Sequence, residues 1–424
     1  MKRIIFLFCI LANKILLSQF TIYNTSNSGL SDNNCWFVNN DNSSRIWVGT
    51  QNGGASIFNE NNNTWVKYNT SNSGIAANYV TPIVFESNGI AWIGSYQSSG
   101  GLSKYDGQNW TKYTPLNSGL PDYDIVAIVI DASNNKWIGT RNYGLVKFDG
   151  STWTVYNSSN SSLPSNVVYS LEKDPSGNIW VGTALGGLAR LSGNTWTLYN
   201  TSNSSLPNND IYSLKYNTST NSLWVGTAGG IGVLNGSNWT IYTSSNSGLA
   251  SDYVRGVAFS YNTGDTWIAT GYNGISRYNG TSWQTYNTSN SNLPVNGIWS
   301  ITSVNQPSTS VNSYEIWAST WSGGIVKLSN KLVTTGVENN TADELSVTCF
   351  PNPANDKLFL KITDSLKEIT FNLFNNLGEL ILDKKYYQTQ EDVSIDLAPV
   401  ANGVYYYTVS SGKKIKNGKI VISK

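Results

Sequence analysis

The chain has 424 residues, a formal net charge of +1 and only 12% charged residues, about half the usual share of soluble domains. It contains no histidine, which excludes Ser-His-Asp and Cys-His nucleophiles and the common His-containing zinc sites. No basic stripe appears, so nucleic acid is a poor partner.

Asn, Ser, Thr and Gly stand where charges usually would, and they favour turns. Aromatic residues make up 12%, with 16 Trp and 25 Tyr. Many turns combined with a large aromatic core read as an all-β chain. The catalytic routes left open are carboxylate, Tyr, Lys or Arg chemistry, or a metal held by oxygen ligands.

Residues 1–19 read as a secretory signal peptide. Lys2 and Arg3 form its charged start, and Ile4 to Leu11 its apolar run. Ile15-Leu16-Leu17 resumes the run after Asn13-Lys14, and cleavage near Ser18 or Gln19 fits. The alternative is a short membrane anchor, but the run is broken and well below the ~20 apolar residues of a spanning helix. No other segment could span a membrane. Cys9 would leave with the signal peptide. Of the two remaining cysteines, Cys35 replaces a Val or Ile of the repeat and reads as a small buried hydrophobe. A disulfide to Cys349 is not indicated.

From residue 20 the chain repeats itself. A Trp followed by Ile, Val or Ala, then a small residue, then Thr or Ser recurs at Trp47, Trp92, Trp137, Trp180, Trp224, Trp267 and Trp317, at spacings of 45, 45, 43, 44, 43 and 50. A second pattern, an aromatic three residues before a Tyr, runs from Phe20–Tyr23 through Trp65–Tyr68 to Trp283–Tyr286, also in seven copies. One unit shows the plan. Val167 to Leu171 is strand a, Ile179 to Thr183 strand b, Leu188 to Leu191 strand c and Thr195 to Tyr199 strand d, divided by Gly, Asn, Asp and Pro turns. A period near 40–45 with four strands per unit marks a propeller blade. The chain enters on a d-type strand and the seventh unit lacks one. Residues 20–23 therefore complete the last blade, close the ring and remove its exposed edge. The predicted domain is a seven-bladed β-propeller over residues 20–329.

In such a ring the d-to-a crossings and b-to-c loops surround the mouth of the channel. The crossings, Asn-Thr-Ser-Asn-Ser and its variants, are near-identical between units and read as turns with side chains bonded to backbone. Asp32, Asp122, Asp124, Asp210 and Asp252 near the a strands read as turn residues before calcium ligands. The b-to-c loops differ between units, and variation on a constant frame is where specificity resides. These loops hold Gln51, Tyr96, Gln97, Arg141, Tyr143, Tyr272 and Trp321. The starts of the a strands add Trp36, Tyr169, Tyr212, Arg255 and Trp299. Aromatic faces with polar tips and a planar guanidinium fork suit sugar rings or peptide segments. The alternative reading has these side chains plugging the channel.

Residues 330–344 are a polar linker. Beyond it Lys and Glu rise and the Trp repeat stops. Lys357 to Ile362, Ile369 to Phe374 and Val404 to Val409 alternate as strands.

The string from Asp174 through Trp180-Val181-Gly182-Thr183 to Gly186-Gly187-Leu188 resembles the two-component regulator propeller repeat. That family builds periplasmic sensor heads of hybrid histidine kinases in Bacteroidetes-type bacteria and stand-alone secreted proteins. Ile268-Ala269-Thr270 and Ala318-Ser319-Thr320 depart from it by lacking the Gly. Residues 345–424 resemble the type IX secretion system sorting domain, type A, through Pro351-Asn352-Pro353, Gly378, Gly403-Val404-Tyr405 and the basic close from Lys419 to Lys424. This second resemblance implies a small Ig-like β-sandwich and export by the type IX secretion machinery. It also implies removal of the domain and a secreted or cell-surface product. The sequence reading is thus a binding module for an extracellular glycan or protein, with no cofactor. The alternatives are a polysaccharide lyase or glycosidase using carboxylates and Tyr, and a purely structural scaffold.

Overall fold

The computed structural model describes residues 20–41, 43, 45–96, 99–260, 262–304, 314–329, 345, 347–362, 366–375, 380–389, 393–411 and 414–424. The signal-peptide and linker segments, Gln97 and Gly378 lie outside them. The chain forms two compact units, divided between Leu332 and Val333. The described residues contain strands and turns but no helix.

The first unit is a seven-bladed β-propeller. Each blade is a four-stranded antiparallel sheet in the order a-b-c-d. The a strands are Cys35–Asn40, Val80–Phe85, Ile125–Ile130, Val168–Lys173, Ile211–Asn217, Val254–Phe259 and Ile298–Ser303. Each packs against its neighbours, and the seventh packs against the first. In the last blade the fourth strand is Thr21–Tyr23, paired antiparallel with Ile325–Ser329 in the register Thr21↔Lys327 and Tyr23↔Ile325. Tyr23 stacks on Trp317 of that blade at 5.4 Å and lies 6.1 Å from Trp65 of blade 1. The chain start therefore fastens the last blade to the first.

The repeat has a physical reason at each position. The strand-b Trp lies in the seam between blades. Trp137 packs into a core with Leu163, Val168, Ile179 and Val181 of the next blade. Its indole N–H still needs an acceptor, because an unpaired buried donor is costly. An acid supplies it in five blades, with Asp41, Glu86, Asp131, Asp174 and Glu315 receiving Trp47, Trp92, Trp137, Trp180 and Trp317 at 2.7–3.0 Å. The small residue after the b-strand hydrophobe faces the next blade. A Cβ at Gly182 would lie 2.3 Å from Ser170 Oγ and 2.6 Å from Ile211. Ala269 replaces that Gly in blade 6, where its strand-a partner is Gly256, so the bulk has moved across the pair. The Thr closing strand b donates its hydroxyl to a Gly carbonyl of the b-to-c loop, as Thr183 does to Gly187 at 2.7 Å.

The crossings are hydrogen-bonded turns. Asn203 accepts from the Asn200 amide at 2.8 Å and donates to the Leu198 carbonyl at 3.1 Å, while Asn209 accepts from the Thr201 amide at 2.9 Å. Ser204 donates to the Asn200 carbonyl at 2.7 Å. Asp32, Asp122, Asp210 and Asp252 likewise accept backbone N–H groups. Cys35 and Cys349 are free thiols, and Cys35 is fully buried at a Val/Ile position.

The second unit is a sandwich of two sheets. Val347–Phe350, Lys357–Ile362 and Val393–Asp396 form one, and Leu366–Phe374, Leu380–Thr389, Gly403–Ser411 and Lys414–Ile422 the other. Leu358, Leu360, Phe371, Leu373, Tyr405 and Ile420 fill the space between them. Asn352, between its two prolines, donates to the Lys419 carbonyl at 3.0 Å and accepts from the Val421 amide at 2.9 Å. The Pro-Asn-Pro segment thus ties one sheet to the last strand of the other. Tyr405 donates its hydroxyl to the Ala401 carbonyl, and Lys424 its ammonium to the Ala398 carbonyl.

Candidate functional site

One irregularity, repeated seven times, builds the channel mouth. Near the start of every a strand the pairing with strand b slips. The residue skipped is Trp36, Val126, Tyr169, Tyr212, Arg255 or Trp299, and in blade 2 the pair Thr81-Pro82. A bulge releases a side chain from the alternation of the strand and re-aims it. The loops are pinned beside these bulges. The first residue after strand b donates its N–H to the carbonyl just before strand a in all seven blades. Gln51 does so to Asn34, Tyr96 to Tyr79, Arg141 to Asp124, Gly271 to Tyr253 and Trp321 to Gly297, at 2.8–3.1 Å. Val167 gives its carbonyl to Ala184 in this way. Strand a of blade 4 therefore begins at Val168, one residue later than the sequence predicts.

These side chains form one continuous run. Arg141 lies over Tyr96 at 5.3 Å, and Tyr96 is 5.1 Å from Tyr79. Tyr79 meets Trp36 at 5.3 Å, and Trp36 stacks on Trp299 at 4.2 Å. The Arg255 guanidinium lies over Trp299 at 4.2 Å and over Tyr212 at 4.8 Å. Tyr212 stacks on Tyr169 at 5.3 Å. Every blade contributes a member. Two exposed rings flank the run at blades 6 and 7, Tyr272 at 5.2 Å from Tyr253 and Trp321 at 5.5 Å from Trp299.

Nine of the eleven sequence-picked residues meet here. Gln51 shares the backbone clamp, but no ring contact is seen for it among the described residues. Tyr143 is 52% exposed, and no ring contact joins it to the run among the described residues; its backbone amide donates to Thr140 Oγ1 at 3.0 Å. Tyr79 and Tyr253 were not among the picks. Tyr253 stands just before strand a and two residues before the bulged Arg255. The bulge breaks the two-residue alternation there, so no strand period in the sequence pointed to Tyr253.

Burial shapes the electrostatics of the mouth. It raises the Tyr79 hydroxyl well above the ordinary tyrosine value; Tyr96 and Asp124 add to this, and Arg255 and Arg141 oppose it. Tyr212 is raised by burial and by its neighbour Tyr253. Burial pulls Arg255 below the ordinary guanidinium value, against the opposing effect of Tyr253, Tyr212 and Tyr169. The mouth thus sets aromatic rings and the guanidinium of Arg255 beside the carboxylates of Asp124 and Asp210, which act on Tyr79 and Tyr212. Among the described residues, no group of three or more Cys, Asp and Glu could hold a metal ion. No described helix is long and apolar enough to cross a membrane.

Residues 348–423 match the secretion system C-terminal sorting domain. The chain carries this sorting domain and is an exported, secreted or cell-surface protein. Residues 162–184, from the crossing into strand b of blade 4, match the two component regulator propeller. No curated protein matches the chain in sequence. Among solved structures it is similar to the extracellular domain of a hybrid two component system from B. thetaiotaomicron, at 19% identity and TM-score 0.63, covering 96% of this chain and 58% of that one. PorZ, an essential bacterial surface component of the type-IX secretion system of Porphyromonas gingivalis, is similar at 17% identity and TM-score 0.58, covering 95% and 61%. YCF48 bound to D1 peptide is similar at 15% identity and TM-score 0.51, covering 74% and 96%. The chain thus spans less than two thirds of the length of the first two, and at these identities the likeness is one of fold.

Proposed function

We propose that this exported propeller is a binding module that holds an extracellular glycan or protein segment over its channel mouth. The carrying observation is the unbroken aromatic and guanidinium run, to which each blade contributes through a bulge or an adjoining loop. Seams that differ little between blades need no such variety. Side chains that differ at one re-aimed position make a shaped surface, and aromatic rings with polar tips serve such surfaces well. YCF48, which shares the fold, is bound to a D1 peptide. Binding is favoured over carboxylate catalysis because Asp32, Asp122, Asp210 and Asp252 are engaged by backbone N–H groups.

In the same proposal residues 1–19 are removed as signal peptide, 20–329 bind and 330–344 link. Residues 345–424 engage the type IX machinery and are cleaved. The test is capture of the full chain on glycan and peptide arrays, beside a Tyr272→Ala, Trp321→Ala double variant. The variant is expected to lose at least about 30-fold in affinity, the scale of a buried aromatic anchor. Undiminished capture by the variant, or no capture by the wild type, would overturn the proposal.

A further inference from the structure

The Arg255 site is unusual in what surrounds its charge. The guanidinium has five N–H donors in a planar fork. Nε is buried and has no hydrogen-bond partner. One terminal nitrogen reaches the Tyr253 hydroxyl, at 3.4 Å. No carboxylate pairs with Arg255 among the described residues. Its neighbours are the faces of Trp299 at 4.2 Å, Tyr212 at 4.8 Å and Tyr253 at 5.7 Å. Elsewhere the propeller pairs such a cation. Arg277, over Trp267, meets Asp265 at 2.7 Å. Arg190 also leaves Nε without a partner, but a single ring, Trp180, faces it. A charge largely shielded from water and without a counter-ion destabilises a fold, and Arg255 stands at the bulge of its strand among the rings of the run.

Resting on the binding reading above, we infer that Arg255 is the anchor for a carboxylate on an acidic saccharide, whose sugar rings lie on the exposed faces of Tyr272 and Trp321. Arginine matches a carboxylate through two parallel N–H···O bonds. Tyr272 and Trp321 are 61% and 53% exposed. Each lies one ring away from Arg255, Tyr272 through Tyr253 and Trp321 through Trp299. A charged donor with two open aromatic platforms, each one ring away, suits consecutive uronate residues. A peptide carboxylate would use the arginine but would leave one platform idle.

The experiment titrates the full chain with oligogalacturonate, oligoalginate and hyaluronan oligosaccharides, with methyl-esterified oligogalacturonate, and with a peptide bearing a free C-terminal carboxylate. Binding of at least one uronate oligomer is expected. Arg255→Met should weaken it at least about 30-fold, as truncation of one partner of a buried charge pair does, and Trp321→Ala should weaken it without abolishing the preference for acid over ester. Arg255→Met should also leave the melting temperature of the ligand-free chain unchanged or raised, because it removes a partly buried charge that has no counter-ion. A purely structural arginine would lower it. The inference is overturned if Arg255→Met binds as well as wild type, if it melts markedly lower, if acid and ester bind equally, or if only the peptide binds. If neutral glycans bind and depend on Trp321 but not on Arg255, the binding reading stands and this inference falls.

Discussion

The seams between blades and the channel mouth are built by the same strands, yet they follow opposite rules. At the seams the seven units converge on Trp, a small residue and Thr or Ser, because each must fill the same gap at close approach. At the bulged position the units diverge into Trp, Thr, Val, Tyr, Tyr, Arg and Trp. The difference teaches that repetition inside one chain separates the positions that packing constrains from those that it leaves free. Where seven copies agree, the fold constrains them; where they disagree at a re-aimed site, the fold does not.

The comparison breaks if seam changes are cheap or mouth changes are costly to stability. Deleting residues 20–23 should have the largest effect. It removes the fourth strand of blade 7 and the Tyr23 contact with Trp317, and a thermal melt should lose its single cooperative transition. Trp180→Ala should cost about 3–5 kcal/mol, through lost burial and the cavity left behind, read by denaturant unfolding.

Glu86→Gln sharpens the seam side. Glu86 and Lys136 form a buried pair between blades 2 and 3 at 2.9 Å. Burial opposes ionisation of Glu86, but bonds from Lys136, Trp92 and Asn134 outweigh it and hold its pKa below the ordinary glutamate value. A depressed folded pKa stabilises above the unfolded value, and that stabilisation is lost as pH falls through the folded value. The wild type should therefore exceed the variant in stability at neutral pH, and the gap should close on acidification. Least should happen to stability in Trp321→Ala, whose 53% exposed ring should leave unfolding within about 0.5 kcal/mol of wild type while binding falls.

The architecture was legible because its signals were periodic. Trp spacing gave the blades, and the misplaced Phe20–Tyr23 strand gave the closure. The sorting unit was legible from Pro351-Asn352-Pro353, whose Asn352 fastens the last strand. The mouth was legible only as a list of candidates. A bulge leaves no pattern in one unit, so the sequence could not show that Trp36, Arg255 and Trp299 leave the ladder and meet. Contacts across blades, such as Trp36 on Trp299 at 4.2 Å, join residues far apart in the chain. A loop position does not reveal which contacts a side chain such as that of Tyr143 makes.

Amide hydrogen exchange of the full chain, with and without a ligand captured from the arrays, tests the central claim most directly. The account predicts added protection in the b-to-c loops at Gly271–Asn273 and Trp321–Gly323 and at the bulged starts of the a strands, with the d strands and the sorting domain unchanged. Protection confined to the d strands or to residues 345–424, with the mouth unaffected, would contradict it.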